Sequence, residues 1–505
     1  MRIPSTPVLG CWLLAGLVVA ETHLSKDCCS ALTRQLPDGQ VYAPQTTSYV
    51  DRIKSYFSVS AALQPWCIVL PSTTREVSAV IRTLTAHQCP FGIQSGGHGV
   101  FLGANSVRNG VTVDLGNMNT TTYNAENKTA SIQPGCRWKP VFETLAEYGV
   151  AVTGGRDSDV GAGGFILGGG NSFWSASHGW ASDNVVNFEV VLADGRIINA
   201  NAEDHADLWV ALKGGSGNFG IVTRFDMKTI EHANPQNHIY GGSLTYSPES
   251  TKKAIAAFVD FANNQSNDLA SHAYTVWAYL PSIGTIIMSF IANVLNDNST
   301  STFDGIMGVP GMMMRSSVRS ATIGNFTDEI LSPKGYRNIW MTSAYKNDAR
   351  VIQYAVDKFN EIAPRIEAEV SSENLIIVVG SFQPLTQPMV GQAAANGGNM
   401  LGLEGRVKHG NGVLFNAVVS FAGAAHEEAA LPLMREWVGS VDEFAMGKDL
   451  SWDWRYLNYA YSDQNPIASY GPESIEKMKA VAAKYDPHGM FQKLRMSGFK
   501  IPTIL

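Results

Sequence analysis

Charge is scarce in this chain. Only 16% of its 505 residues are Asp, Glu, Lys or Arg, and 44 acidic against 37 basic side chains leave a formal net charge of −7. No run of Lys and Arg occurs, which argues against a nucleic-acid partner, because binding phosphates requires a basic patch. Cysteine is scarcer still, at six residues. There is no Cys-x-x-Cys pair and no His/Cys grouping at metal-ligand spacing, so no structural or catalytic metal is expected. The absence of Gly-Lys-Ser/Thr excludes a P-loop. No Gly-x-Gly-x-x-Gly stands between a strand and a helix with an acid downstream, which excludes a Rossmann fingerprint. Past the N-terminus no apolar run approaches the roughly 20 residues that a membrane span needs. The stretch from Gly284 to Leu295 is apolar but short, so no membrane partner is expected.

The one long hydrophobic run is at the start. Arg2 supplies a positive end, Val8 to Ala20 an apolar stretch, and Val18-Val19-Ala20 a small-residue cleavage site before Glu21. Residues 1–20 therefore read as a secretory signal peptide and the mature protein as extracellular. Five sequons agree with export, at Asn119, Asn127, Asn264, Asn298 and Asn325, and each is a candidate glycan site. Cleavage leaves Cys28, Cys29, Cys67, Cys89 and Cys136. An odd number in an oxidising compartment leaves one thiol over. We expect the adjacent pair Cys28 and Cys29 to bond to Cys67 and Cys89, in either order, stapling the N-terminal tail to the first domain. Cys136 is expected to be a small buried residue.

The length exceeds what one core supports. From 65 to 230 strand-like and helix-like segments alternate. Cys67 to Pro71 reads as a strand. Thr74 to His87 reads as a helix, with Ser72, Thr73 or Thr74 as cap and Val77, Val80, Ile81 and Leu84 at helical spacing. Strands follow at 90–94, 110–115 and 130–134, then a helix at 138–148. Val185 to Leu192, an Asp194-Gly195 turn and Arg196 to Ala200 form a hairpin. In the middle, strands at 274–280, 285–293, 375–382 and 413–421, with helices at 350–365 and 427–438, suggest an antiparallel sheet covered on one face by helices. The C-terminal part carries a helix near 474–485, and no internal repeat occurs.

What the chain has in plenty is glycine, 48 residues, concentrated in three clusters. The first is Gln94-Ser95-Gly96-Gly97-His98-Gly99, directly after a strand. Consecutive glycines let backbone N–H groups converge into an anion cradle. The second, Gly161 to Gly170, has six glycines in ten residues and implies backbone packed against a flat or charged ligand. The third is Lys213 to Gly220, followed by a strand.

The order and spacing of these motifs resemble the vanillyl-alcohol-oxidase, or PCMH-type, flavoproteins, and more narrowly the fungal berberine-bridge-enzyme-like FAD-linked oxidoreductases. The resemblance is carried by Pro71 to Val77, Ser95-Gly-Gly-His98, Val160 to Gly170, Asp183-Asn184-Val185, Glu189 to Gly195, Leu208-Trp209 and Gly217 to Val222. It continues in Tyr456-Leu-Asn-Tyr459, Tyr470-Gly471, Tyr485-Asp-Pro487 and Phe491. It covers nearly the whole mature chain. It implies an α+β fold: a PCMH-type two-lobed FAD-binding domain and a second substrate domain on an antiparallel sheet covered by helices. The implied division is a tail at 21–60, the FAD domain at 61–232, the substrate domain at 233–447 and a returning segment at 448–505.

The resemblance also implies roles. His98 would carry FAD covalently, and FAD would be bound by Ser95, Gly96, Gly97, Gly99, Val160, Gly161, Gly163, Gly164, Gly168, Gly169, Gly170, Asn184, Gly220, Ile221, Val222 and Asn458. Many relatives have a second link, through a cysteine three residues before the valine. Here that residue is Asp157, so a single bond is expected. Val160 matches the position that leaves room for O2 in oxidases. Tyr456 and Tyr459 match tyrosines placed over the flavin, one of them as base. On a strand residues i and i+3 would face opposite ways, which favours a single base. Gln383 is a candidate for the pocket floor. The implied activity is an oxidase passing hydride from a secondary-metabolite alcohol or ring-closing substrate to FAD and on to O2, in a monomer. Oligosaccharide oxidation, or a catalytically idle flavoprotein that only binds, are the competing readings.

Overall fold

The computed structural model describes residues 27–234, 236–312 and 316–503. The expected signal peptide lies outside them. Two sheets build the N-terminal part. Strands β1 (Val41–Tyr42), β2 (Cys67–Val69), β3 (Phe91–Gln94) and β4 (Val111–Asp114) form a mixed sheet in the order β1-β2-β4-β3, parallel except at β1. Strands β5 (Thr121–Asn124), β6 (Thr129–Ile132), β8 (Val185–Val191), β9 (Ile197–Asn201) and β10 (Ile221–Lys228) form an antiparallel sheet, β5-β6-β10-β8-β9. The short strands β7 (Val150–Ala151) and β11 (Ile230–Glu231) pair beside it.

Local chemistry explains these elements. The helix Thr74–Ala86 starts where the Thr73 hydroxyl accepts from the Glu76 amide at 3.2 Å, and Val77, Val80, Ile81 and Leu84 form its buried stripe. The Asp194-Gly195 turn joins β8 to β9, with Gly195 at φ 82°, a value that glycine adopts without strain. The expected staple is present: Cys28 bonds Cys89 and Cys29 bonds Cys67. Cys136 is free and buried. Near the other terminus, the Phe91 amide donates to the Leu494 carbonyl and the Met496 amide to the Phe91 carbonyl, so the last segment lies along β3.

The middle of the chain is one antiparallel sheet of seven strands: β12 (His238–Tyr246), β13 (Ser271–Leu280), β14 (Gly284–Asn293), β15 (Arg319–Thr322), β16 (Arg337–Lys346), β17 (Leu375–Leu385) and β18 (Gly412–Phe421). Their order is β15-β12-β14-β13-β17-β18-β16. Alternation decides its two faces. Ala273, Trp277, Val378, Phe382, Phe415 and Val419 pack under the helices Thr251–Asn264, Ala349–Val370 and Glu427–Gly447, where Phe258, Phe359 and Trp437 meet them. The intervening residues turn the other way, toward the N-terminal part. The sequence reading missed β12, β15, β16 and the helix Thr251–Asn264. It also placed Gln383 after a strand that in fact runs through it to Leu385.

Candidate active site

Between the sheet face and the glycine clusters lies a cavity of about 570 Å³. On its sheet side Tyr274, Val276, Phe290, Ile377, Val379 and Val418 stand among two polar groups, Ser381, Gln383 and Asn416 in one place and Ser420 with Asn338 beside Ile377 in the other. Opposite stand Ser95 to Gly99, Val160, Gly161, Gly163, Gly164, Gly220, Ile221 and Val222.

The glycines serve two purposes. Gly96 and Gly161 touch backbone to backbone, and a Cβ on either would fall on the Cα of the other. Arg137 bridges the same point, donating to the Gly96 carbonyl at 2.9 Å and to the Asp159 carbonyl. The first two clusters thus form one glycine-walled edge of the cavity. Gly168, Gly169 and Gly170 do not line it. They press against Asn458, Trp180 and Phe165, so this part of the second cluster accommodates protein side chains where the sequence suggested a ligand. Asn184 also lies away from the cavity lining, its amide donating to the carbonyls of His178 and Trp180 at 2.8 and 2.9 Å.

His98 sits at the glycine edge with its ring stacked on Phe57, centroids 3.8 Å apart. Its Nε2 is buried without a hydrogen-bond partner among the described residues. Burial pushes the imidazole below its ordinary pKa, with Asp157 and Asp159 opposing that shift. Asp157, at the position where a second link would require cysteine, accepts from the amides of Asp159 and Ser332, each at 2.9 Å. Cys136 lies outside the lining, with its thiol on the Thr120 carbonyl at 3.4 Å. At another part of the wall stands Arg495, buried beside Ser216 and Gly217, with no carboxylate within 4.0 Å among the described residues.

Tyr456 caps and Tyr459 ends a 3₁₀ turn, Leu457–Tyr459, and not a strand. In that conformation i and i+3 share a side, and the two rings meet edge to face at 4.8 Å. Their hydroxyls differ. Tyr456 is buried, and its oxygen accepts from the amides of Gly170 and Asn171 and from Asn458 Nδ2, at 3.0 to 3.1 Å. Burial pushes its pKa far up, outweighing those donors. Tyr459 is half-buried and its hydroxyl reaches Gln383 and Arg156, 3.1 Å from Arg156 Nη2.

The sequence reading gave no role to Arg156, His272, Trp340 or Asn416. Arg156 donates to Gln383 Oε1 at 2.7 Å and to His272 Nε2 at 2.9 Å, with its guanidinium 5.0 Å from the Tyr274 ring. Burial, then the charge of Arg156, pushes His272 well below its ordinary pKa, so the ring is neutral and Nε2 accepts. Trp340 Nε1 and Asn416 Oδ1 are buried without partners among the described residues. Trp340 was out of reach because β16 was missed, its sequence lacking a clean polar and apolar alternation.

Residues 65–201 match the FAD binding domain family. The chain is 36% identical to the FAD-dependent monooxygenase drtC of Aspergillus calidoustus, over 99% of this chain and 97% of that one. It is 37% identical to the FAD-dependent monooxygenase sdcF of Emericella nidulans, over 95% and 99%. Among solved structures, a xylooligosaccharide oxidase from Myceliophthora thermophila superimposes with a TM-score of 0.74 at 18% identity, covering 95% of this chain and all of the other. A berberine bridge enzyme variant superimposes at 0.72 and 16%, covering 95% and 99%.

Proposed function

Because this chain belongs to the fungal FAD-dependent oxidoreductases and shares the fold of berberine bridge enzyme, we propose that it is a secreted oxidase of a small secondary-metabolite-type molecule, with its FAD bound covalently through His98 alone. The observation that carries the attachment is a buried imidazole nitrogen with no partner at a glycine-walled cavity edge. Backbone of Ser95 to Gly97, Gly161, Gly163 and Gly164 would hold the cofactor, and the charge of Arg495 suits a phosphate-bearing group. Bound FAD supplies a hydride acceptor that O2 reoxidises. Val160 leaves space at the wall for that O2.

The chain's own part is to position the substrate and move a proton. Tyr459 is the candidate base because its hydroxyl faces the cavity; it would take the substrate hydroxyl proton as tyrosinate, after giving up its own. Tyr456 positions the turn. Tyr274, Val276, Phe290, Ile377, Val379 and Val418 on the sheet side suit an apolar body better than an oligosaccharide. Two disulfides and five exposed sequon asparagines support export.

Acid-denatured protein should stay yellow, and the flavin peptide should contain His98. The variant His98→Ala should release its flavin, whereas Cys136→Ser should keep it. Flavin on a cysteine would overturn the single link. The names of the relatives favour a second reading, in which oxygen enters the product. Turnover under labelled O2 separates them: one peroxide per substrate with unlabelled product supports the oxidase.

A further inference from the structure

We infer that the cavity takes its substrate as an oxyanion, an apolar body bearing a carboxylate, phenolate or enolate that docks on Arg156. The location rests on the oxidoreductase reading, but the charge argument stands on the side chains alone.

Arg156 is 8% exposed and lines the cavity. Its guanidinium donates only to neutral acceptors: Gln383 Oε1, the Tyr459 hydroxyl and the neutral His272 ring. No carboxylate oxygen lies within 4.0 Å of it among the described residues. Its chain neighbour Asp157 is bonded to backbone amides, and Asp159 is paired with Arg137 and Lys334 at 3.1 and 3.2 Å. A buried cation without a counter-charge is costly. The cost is offset when a ligand brings the missing charge into the same low-dielectric space, where such a hydrogen bond is strong.

The surroundings define the rest of the ligand. On the same sheet face Val276, Phe290, Ile377 and Val379 offer no donor or acceptor. One side of the ligand is therefore apolar and the acidic oxygen lies toward Arg156. An uncharged sugar would leave the guanidinium uncompensated and its own hydroxyls against hydrocarbon.

Calorimetric titration of the full-length protein with matched probes tests this: a naphthoate against its naphthamide, and para-nitrophenolate against para-nitroanisole. The anion of at least one pair should bind roughly ten- to a hundredfold more tightly than its neutral partner, the range for a hydrogen bond to a charged group. The pair that shows the preference identifies carboxylate or phenolate as the group. Arg156→Gln should abolish the preference and leave binding of the neutral probes intact. Gln383→Glu, which places a carboxylate on the guanidinium, should do the same. No preference in either pair, or a preference that survives both variants, overturns the proposal. Flavin content is read on the same samples. Anion preference in a chain without flavin would sink the oxidoreductase reading alone, and a flavin-loaded chain without preference would sink only this one.

Discussion

Tyr456 and Tyr459 show how two like residues three apart come to do different work. The motif singled out both, but only the hydrogen bonds distinguish them. A phenol accepting from three donors inside the protein is fixed in place, whereas one facing a cavity can exchange a proton. Tyr459→Phe should therefore slow flavin reduction by about 10²–10⁴, the usual contribution of a general base, in a stopped-flow experiment. Tyr456→Phe leaves the buried Gly170 and Asn171 amides unpaired and should cost about 1–3 kcal/mol in urea unfolding. Equal kinetic losses would make the division wrong. Lys500 offers a pH test at the same scale. Burial and then the charge of Arg495 push it down to about 6 from 10.5. Between those values the unfolded chain holds a proton that the folded chain has shed, so this group makes stability rise with pH across that window. Lys500→Met should flatten the rise in urea midpoint between pH 6 and 10. An unchanged slope would show that Lys500 titrates normally.

Among the elements, those with a strong local signature were legible. The capped helix at Thr74 and the Asp-Gly hairpin were read from turn chemistry and spacing, because each is determined by residues that touch along the chain. β16 was not. Its alternation is interrupted by Trp340 and Ser343, whose reasons are distant in sequence: Trp340 lines the cavity, and the Ser343 hydroxyl bonds Asp442 and Arg455. The same limit hid Arg156, whose partners stand 116, 227 and 303 residues away. The glycine clusters were found, but their division into cavity wall and packing surface depends on Trp180, Phe165 and Asn458, which no spacing rule connects. The sheet's helix-covered face carries its own prediction. Phe382 is buried between Trp277 and Phe415, at centroid distances of 5.5 and 5.2 Å. Phe382→Ala should cost about 3–5 kcal/mol by urea unfolding. A loss below about 1 kcal/mol would mean that the sheet and helices pack more loosely than described.

For the molecule as a whole, the disulfides tie the first described residues to the parallel sheet across loops of 61 and 38 residues. In the chain-entropy account each, taken alone, contributes roughly 4 kcal/mol. Cys29→Ser should lower the thermal midpoint measurably, while Cys136→Ser, which breaks no bridge, should leave it nearly unchanged. The reverse order would reassign the pairing.

The contact between Gly96 and Gly161 has a consequence for maturation. Gly96 belongs to the loop leaving the parallel sheet, and Gly161 to the segment that enters the other lobe, so the edge they form exists only once the lobes have met. A bond at His98 that needs this edge would then follow lobe docking, and cofactor loading would act on the folded chain.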